Sequence, residues 1–285
     1  MTAPTPASYD LGTVPARYAS KYVGIEGTAL HYLHTGPTTL PDVAPALDRG
    51  ALFLLVHGGG RNAGDWRRQL GGLGDGHSVV ALDLPAHGRS CGIDALATIE
   101  DYADVVERFG RAVLRRKPVL VGWSMGFSIA LTLAARHPDR FAGLVLVGGL
   151  PYWRPEPGAL DWLHDVVRGR LPQQFNTVAF SPSTPMDVMR EIWMEQVKTD
   201  PRVFYGDFLA GACFDGRPLL SQVRVPTLVL HGTDDKIVTV EQAQATADAI
   251  AGARLEVIPQ AGHVPQTEQS ERFNDLLVAF AERCG

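Results

Sequence analysis

Short apolar runs punctuate the chain, separated by longer stretches in which apolar residues recur at helical spacing. Ala51-Leu-Phe-Leu-Leu-Val56, Ser78-Val-Val-Ala-Leu82, Val119-Leu-Val121, Phe141-Ala-Gly-Leu-Val-Leu-Val147, Thr227-Leu-Val-Leu230 and Leu255-Glu-Val-Ile258 read as strands. Several lack polar alternate positions, which marks strands buried on both faces of a parallel sheet. Between them the sequence predicts helices. A short one spans Asp65 to Leu73, and another follows Thr98-Ile-Glu-Asp101, a capping-box-like start with Asp in the Glu position. Its apolar face is Ala103, Val106, Phe109 and Val113. The proline-free run from Phe127 to Ala135 predicts a third helix. Thr239-Val-Glu-Gln242 opens another, and Phe273, Leu276, Leu277 and Phe280 define the last. Near the start, Lys21 to Glu26 and Thr28 to Thr35 flank Gly27 as two strands of a hairpin. Alternation of strand and helix implies βαβ crossovers and a doubly wound α/β sheet with helices on both faces.

The rhythm breaks between Pro151 and Val225, where aromatic residues crowd and no buried-strand run occurs. This segment predicts a helical cap, residues 151–225, inserted into a core of residues 21–150 and 226–285. Thr184-Pro185 and Asp200-Pro201 each place a capping residue before a proline at the first helical position. Met186, Met189, Trp193 and Val197 fall on one face of the first cap helix, a stripe that packs the cap on the core or faces a pocket. Residues 1–20, rich in Pro, Thr and Ala, predict a disordered start.

Composition narrows the possible partners. At 285 residues the chain can bury about three quarters of its unfolded surface without a disulfide or metal. A net charge of -5 with no basic run argues against nucleic acid. Cys91, Cys213 and Cys284 fit neither a disulfide framework nor a zinc site and favour a reducing compartment, the cytoplasm. No stretch is long and apolar enough to span a bilayer. Oligomeric state is silent.

The candidate chemistry centres on Gly122-Trp-Ser-Met-Gly126, which ends one strand run and opens a helical run. Gly-x-Ser-x-Gly describes a sharp turn that lifts the Ser124 hydroxyl above a sheet, and the glycines are required because a Cβ would clash there. A serine hydroxyl needs a base and an acid to orient that base. His263, past the last strand, is the candidate base. Asp235 and its neighbour Asp234, past an earlier strand, compete for the orienting role. These positions follow the carboxyl ends of strands, where doubly wound sheets place their sites.

Five motifs in order, His57-Gly-Gly-Gly60, Asp83-Leu-Pro-Ala-His-Gly-Arg-Ser90, Gly122-Trp-Ser-Met-Gly126, Gly232-Thr-Asp-Asp-Lys-Ile-Val238 and Gly262-His263, resemble those of the α/β-hydrolase superfamily. The resemblance covers Tyr22 to the C-terminus. Within that superfamily it looks like the small carboxylesterase, lactonase and C–C hydrolase group of serine hydrolases. It implies a mostly parallel eight-stranded sheet with an inserted helical cap. The family register Gly-x-x-Asp-x-x-Val favours Asp235 as the acid. The oxyanion donors implied are Met125 N–H and Gly59 N–H, with Gly60 the alternative if the loop is shifted by one. Trp123, Trp153 and Trp193 are expected to bind substrate. Phe127 stands where many members carry a third glycine, and is expected to narrow the pocket floor or crowd the oxyanion loop. A serine in the elbow argues against haloalkane dehalogenases and epoxide hydrolases, whose corresponding residue is an aspartate.

The remaining histidines take structural readings: His57 bonds loop backbone, His87 fixes the turn around Asp83, and His231 is packed. No metal site and no cofactor are expected. The reading is a carboxylic-ester hydrolase with a Ser124, Asp235 and His263 set, acting on a small, largely apolar ester. Lactonase, thioesterase, C–C hydrolase and cofactor-free perhydrolase share the same residues. A non-catalytic receptor for a small hydrophobic ligand is the reading of another class.

Overall fold

The computed structural model describes residues 18–175 and 177–284. Of the expected disordered start, residues 1–17 lie outside the described residues, while Ala19 and Ser20 open the first strand. Strands β1 (Ala19–Ile25), β2 (Thr28–His34), β3 (Leu52–Val56), β4 (Ser78–Leu82), β5 (Val119–Trp123), β6 (Gly143–Val147), β7 (Thr227–Gly232) and β8 (Arg254–Ile258) form one sheet in the order β1-β2-β4-β3-β5-β6-β7-β8. The hairpin β1–β2 and its contact with β4 are antiparallel, and every later pairing is parallel. The mostly parallel eight-stranded architecture is therefore as expected.

The continuous apolar runs have a direct cause. In β3, Phe53 and Leu55 enter one core while Leu52, Leu54 and Val56 enter the other, because successive side chains leave a strand on opposite faces. One core is covered by α2 (Ile99–Val113), α3 (Met125–Arg136) and α8 (Val240–Asp248); the other is covered by α1 (Arg67–Leu73) and α10 (Ser270–Ala281). Helix α1 is preceded by a 3₁₀ turn, Ala63–Trp66, so the helix expected from Asp65 starts as a tighter turn. At α2, Thr98 accepts from the Asp101 amide, but its hydroxyl also donates to the Asp101 carboxylate at 2.7 Å. Only half of a capping box forms there, because the shorter Asp side chain is engaged by the hydroxyl; at α8 the Thr239 and Gln242 box is complete.

Between β6 and β7 lie α4 (Ala159–Val167), α5 (Met186–Gln196), α6 (Pro201–Cys213) and α7 (Arg217–Leu220). Asp200 caps α6 as expected, its carboxylate accepting from Arg202 N, and Pro201 takes the first helical position. The parallel expectation for Thr184 fails. Pro185 is itself the N-cap of α5, and the Thr184 hydroxyl donates to Glu268 instead. Only part of the expected stripe on α5 turns inward: Met189 packs against the core and Ile192 and Glu195 are buried, while Met186 and Val197 are 60% and 42% exposed. The cause is a set of polar contacts to the loop after β3. Asn62 Nδ2 donates to Glu195 O, and Arg61 donates to Ile192 O and Gln196 Oε1. These outweigh the apolar stripe in setting the helix's roll. A short helix α9 (Pro265–Glu268) precedes α10.

Candidate active site

Strand β5 ends at Trp123, Ser124 turns, and α3 begins at Met125. Ser124 takes φ 55° and ψ -115°, a region that costs a non-glycine residue about 1–3 kcal/mol and persists only where its surroundings hold it. Here they do. A Cβ on Gly122 would stand 2.1 Å from Gly126 O, and one on Gly126 would stand 2.4 Å from Val56 O. Both glycines are thus demanded by the close approach of strand, helix start and the end of β3. A Cβ on Gly58 would meet Ser124 Cβ at 3.0 Å, so the loop after β3 lies directly on the serine.

The loops after β7 and β8 bring Asp235 and His263 together. His263 Nδ1 lies 2.9 Å from Asp235 Oδ2, and Oδ1 of the same carboxylate accepts from Ile237 N at 2.8 Å and Val238 N at 3.1 Å. Burial would raise the Asp235 pKa, but the hydrogen bond and charge of His263 and those two amides hold it below the usual carboxylate range. Asp234 points elsewhere, accepting from the hydroxyls of Ser181 and Thr233. His231 is buried, and its Nε2–H donates to Val238 O at 2.9 Å. Burial lowers its pKa.

The His263 loop is fastened by groups that sequence reasoning missed. Glu268 Oε1 accepts from Gly262 N and Val264 N, and Oε2 accepts from Ser181 N and Thr184 Oγ1. The indole of Trp123 donates to His263 O. No local pattern marks these partners, although a carboxylate soon after Gly262-His263 is a weak signal for such a cradle.

The glycine loop is gripped from two sides. His57 Nδ1 donates to Gly58 O at 2.8 Å, and its Nε2 accepts from Leu84 N at 3.1 Å. Burial, with His87 beside it, lowers the His57 pKa to about 3, so it is neutral. Of the two candidate donors Gly59 and Gly60, the Gly60 amide is committed to Asp207 Oδ2 at 2.7 Å, which leaves Gly59 N–H as the uncommitted one among the described residues. Met125 contributes the first amide of α3, which has no partner within its own helix. His87 bonds Pro85 O at 2.8 Å as expected of a turn residue, but its other nitrogen reaches Asp207 Oδ2 at 2.7 Å. Asp207 was not singled out from the sequence.

Ser124, Met125, Gly59, Trp123, Trp153 and His263 all line one cavity of about 250 Å³. Its remaining walls include Phe180, Phe204, Phe208 and Phe214. Trp153 meets Phe208 edge-on, with ring centroids 5.1 Å apart. Trp193 does not reach the cavity; it packs edge-on against Phe175 at 5.6 Å, because the roll of α5 turns it aside. Phe127 is also away from it. Only 1% exposed, it lies in the core beneath Gly149, where a Cβ would stand 2.5 Å from Phe127 Cβ. The pocket floor is therefore not narrowed by Phe127, since Met125 and Ser128 are the α3 residues that face the cavity. Among the described residues no cluster of side chains could hold a metal ion, and no helix is long and apolar enough to cross a membrane.

A strained serine between strand and helix, with the supporting loops at the carboxyl edge of a mostly parallel sheet, defines an α/β-hydrolase architecture. The sequence model of the alpha/beta hydrolase family matches residues 53–276, and the chain belongs to that family. It is 30% identical over 253 residues to the 2-hydroxymuconate semialdehyde hydrolase of Pseudomonas sp. (strain CF600), covering 82% of this chain and 88% of that protein. It is 27% identical over 252 residues to the pimeloyl-[acyl-carrier protein] methyl ester esterase of Vibrio cholerae, covering 82% and 96% of the two chains. Among solved structures, the enol-lactonase from Burkholderia xenovorans LB400 superposes with a TM-score of 0.79 at 26% identity, over 91% of this chain and 98% of that one.

Proposed function

We propose that this hydrolase is a serine esterase that cleaves a small or medium, largely apolar carboxylic ester through an acyl-enzyme. One observation carries the reading: the Ser124 turn and the His263 ring, the latter hydrogen-bonded to buried Asp235, open into the same apolar cavity. With Nδ1–H donated to Asp235, the Nε2 lone pair of His263 is free to take the Ser124 proton as Oγ adds to the ester carbonyl carbon. The carbonyl oxygen becomes an alkoxide, received by the amides of Gly59 and Met125. Collapse breaks the ester C–O bond, and the departing alcohol takes its proton from His263. Water then gives a proton to His263 and attacks the acyl carbon; collapse breaks the acyl–Oγ bond, the acid leaves, and Oγ takes the proton back from His263, restoring Ser124. Helices α4 to α7 serve as the cap of residues 151–225, and Trp153 and Trp123 bound the acyl or alkyl group. Apolar walls favour substrate parts that lose little on leaving water.

A fluorophosphonate probe and a p-nitrophenyl ester panel test this. Folded protein is expected to label on Ser124 and to turn over short esters, and Ser124→Ala to lose both. Absence of label in folded wild-type protein overturns the reading and favours a non-catalytic receptor for a small hydrophobic ligand. A second reading, C–C bond hydrolysis on the same residues, draws on the 30% identity to a 2-hydroxymuconate semialdehyde hydrolase. Turnover of that compound faster than of any ester favours it.

A further inference from the structure

We infer that Asp207, on α6, is a positioning residue that orients the oxyanion donor Gly59 N–H and so couples the inserted helices to the chemical step. This rests on the esterase reading above, in which Gly59 is a donor.

The argument begins with a weakness of the loop. Gly58, Gly59 and Gly60 carry no side chains to hold their peptide planes, yet an oxyanion donor must point at a fixed place. The plane that carries Gly59 N–H also carries Gly58 C=O. That oxygen accepts from His57 Nδ1 and from Arg61 N, at 2.8 and 3.2 Å. In a trans peptide the N–H points opposite to the C=O, so these bonds aim Gly59 N–H away from His57. The next plane carries Gly60 N–H, and its acceptor is Asp207 Oδ2 at 2.7 Å. Asp207 thereby fixes the second plane that meets at the Gly59 Cα. Phe204, on the same helix, closes on this turn as well: its ring would stand 2.3 Å from a Cβ on Gly60.

The carboxylate itself is rigidly held. Oδ2 also accepts from His87 Nε2 at 2.7 Å, Oδ1 accepts from Tyr102 Oη at 2.6 Å, and the residue is 2% exposed. A lone buried anion beside a developing oxyanion would oppose the reaction. His87 removes that difficulty. Its two nitrogens face two acceptors, Asp207 Oδ2 and Pro85 O, so both must donate and the ring is an imidazolium. The pair is neutral overall, and the loop gains a strong acceptor without a net charge.

A merely structural anchor and a positioning residue differ in what their loss changes. The experiment compares wild type, Asp207→Ala, Asp207→Asn and Glu191→Gln on p-nitrophenyl acetate, with inhibition by an alkyl trifluoromethyl ketone, whose adduct carries an oxyanion. Glu191 pairs with Arg68 at 2.7 Å and joins α5 to α1 away from the glycine loop. Removing a whole oxyanion donor costs about 10²–10³ in kcat, so misaiming one is expected to cost about 10- to 100-fold in Asp207→Ala. KM is expected to stay within about threefold, and ketone affinity to fall in parallel with kcat. Asp207→Asn keeps an oxygen for Gly60 N–H and is expected to recover part of the loss. It also keeps the test decisive if the alanine variant does not fold. Glu191→Gln is expected to match wild type. Folded Asp207 variants with wild-type kcat and ketone affinity overturn the inference, as does an equal loss in Glu191→Gln. Failure of wild-type Ser124 to take a fluorophosphonate overturns the esterase reading instead, and is visible separately.

Discussion

The indole N–H of Trp123 donates to the backbone carbonyl of His263 at 2.7 Å, so the residue preceding the candidate nucleophile holds the loop of the candidate base. Both Trp123 and His263 O are buried, and the bond crosses from β5 to the loop after β8. Trp123 was expected to touch substrate; it lines the cavity and also sets the distance between two loops.

Trp123→Phe keeps an aromatic wall and removes this donor. The net cost of a hydrogen bond is about 1 kcal/mol, and more where the carbonyl is left buried and unpaired. A fall in kcat of roughly 5- to 10-fold is expected, with a modest drop in Tm. Unchanged kcat and Tm for a p-nitrophenyl ester would show that the bond positions nothing.

Asp235 receives two backbone amides and the His263 ring, whereas Asp234 receives hydroxyls on the surface side. Asp235→Asn is therefore expected to lower kcat by on the order of 10³–10⁴, since the amide can no longer hold the useful tautomer. Asp234→Asn should stay within a few-fold of wild type. Single-turnover acylation of the two variants checks the ranking, and the opposite order assigns the acid to Asp234.

Trp153 lines the cavity against Phe208, and Trp193 packs outside it on Phe175. Trp153→Ala enlarges the cavity, so kcat/KM for an octanoyl over a butanoyl p-nitrophenyl ester is expected to rise about tenfold, the scale of a contact with one or two methylenes. Trp193→Ala should leave the ratio unchanged. A shift in the second variant and none in the first would reverse which tryptophan meets the acyl chain.

The Asp207–His87 pair carries a pH signature. Burial by itself lowers the His87 pKa, but the charge and hydrogen bond of Asp207, with Pro85 O and Asp83, carry it above the ordinary histidine value. Around it stand neutral His57 and the Tyr102 hydroxyl, whose pKa is raised by burial and then by Asp207. A group whose folded pKa exceeds its unfolded one stabilises fully below the unfolded value and loses that stabilisation as pH rises through the folded value. The Tm difference between wild type and Asp207→Asn is thus expected to be widest below about pH 6.5 and to narrow on the alkaline side. Thermal melts across that range check it; a constant difference means that His87 does not titrate with the pair.

Much of the fold was legible because its determinants are local. A strand buried on both faces runs apolar over successive positions, and Leu52 to Val56 or Val79 to Leu82 announce that without reference to any neighbour. Thr239 with Gln242 and Asp200 with Pro201 are likewise closed within one helical turn. Local reasoning failed where a remote partner competed: Thr184 gave its hydroxyl to Glu268 rather than to a cap, and α5 rolled to serve the loop at Arg61 and Asn62.

The sequence by itself determined the order of strands and helices, and the turn that exposes Ser124, since the steric demand on Gly122 comes from Gly126 O within the same turn. Only the tertiary structure decided that Gly60 is occupied by Asp207, 147 positions away, that His87 is shared with the same carboxylate, and that Trp193 faces Phe175. Those outcomes depend on which helix face meets which loop. That is settled by the summed packing and polar contacts of the folded chain, not by any periodicity within a single segment.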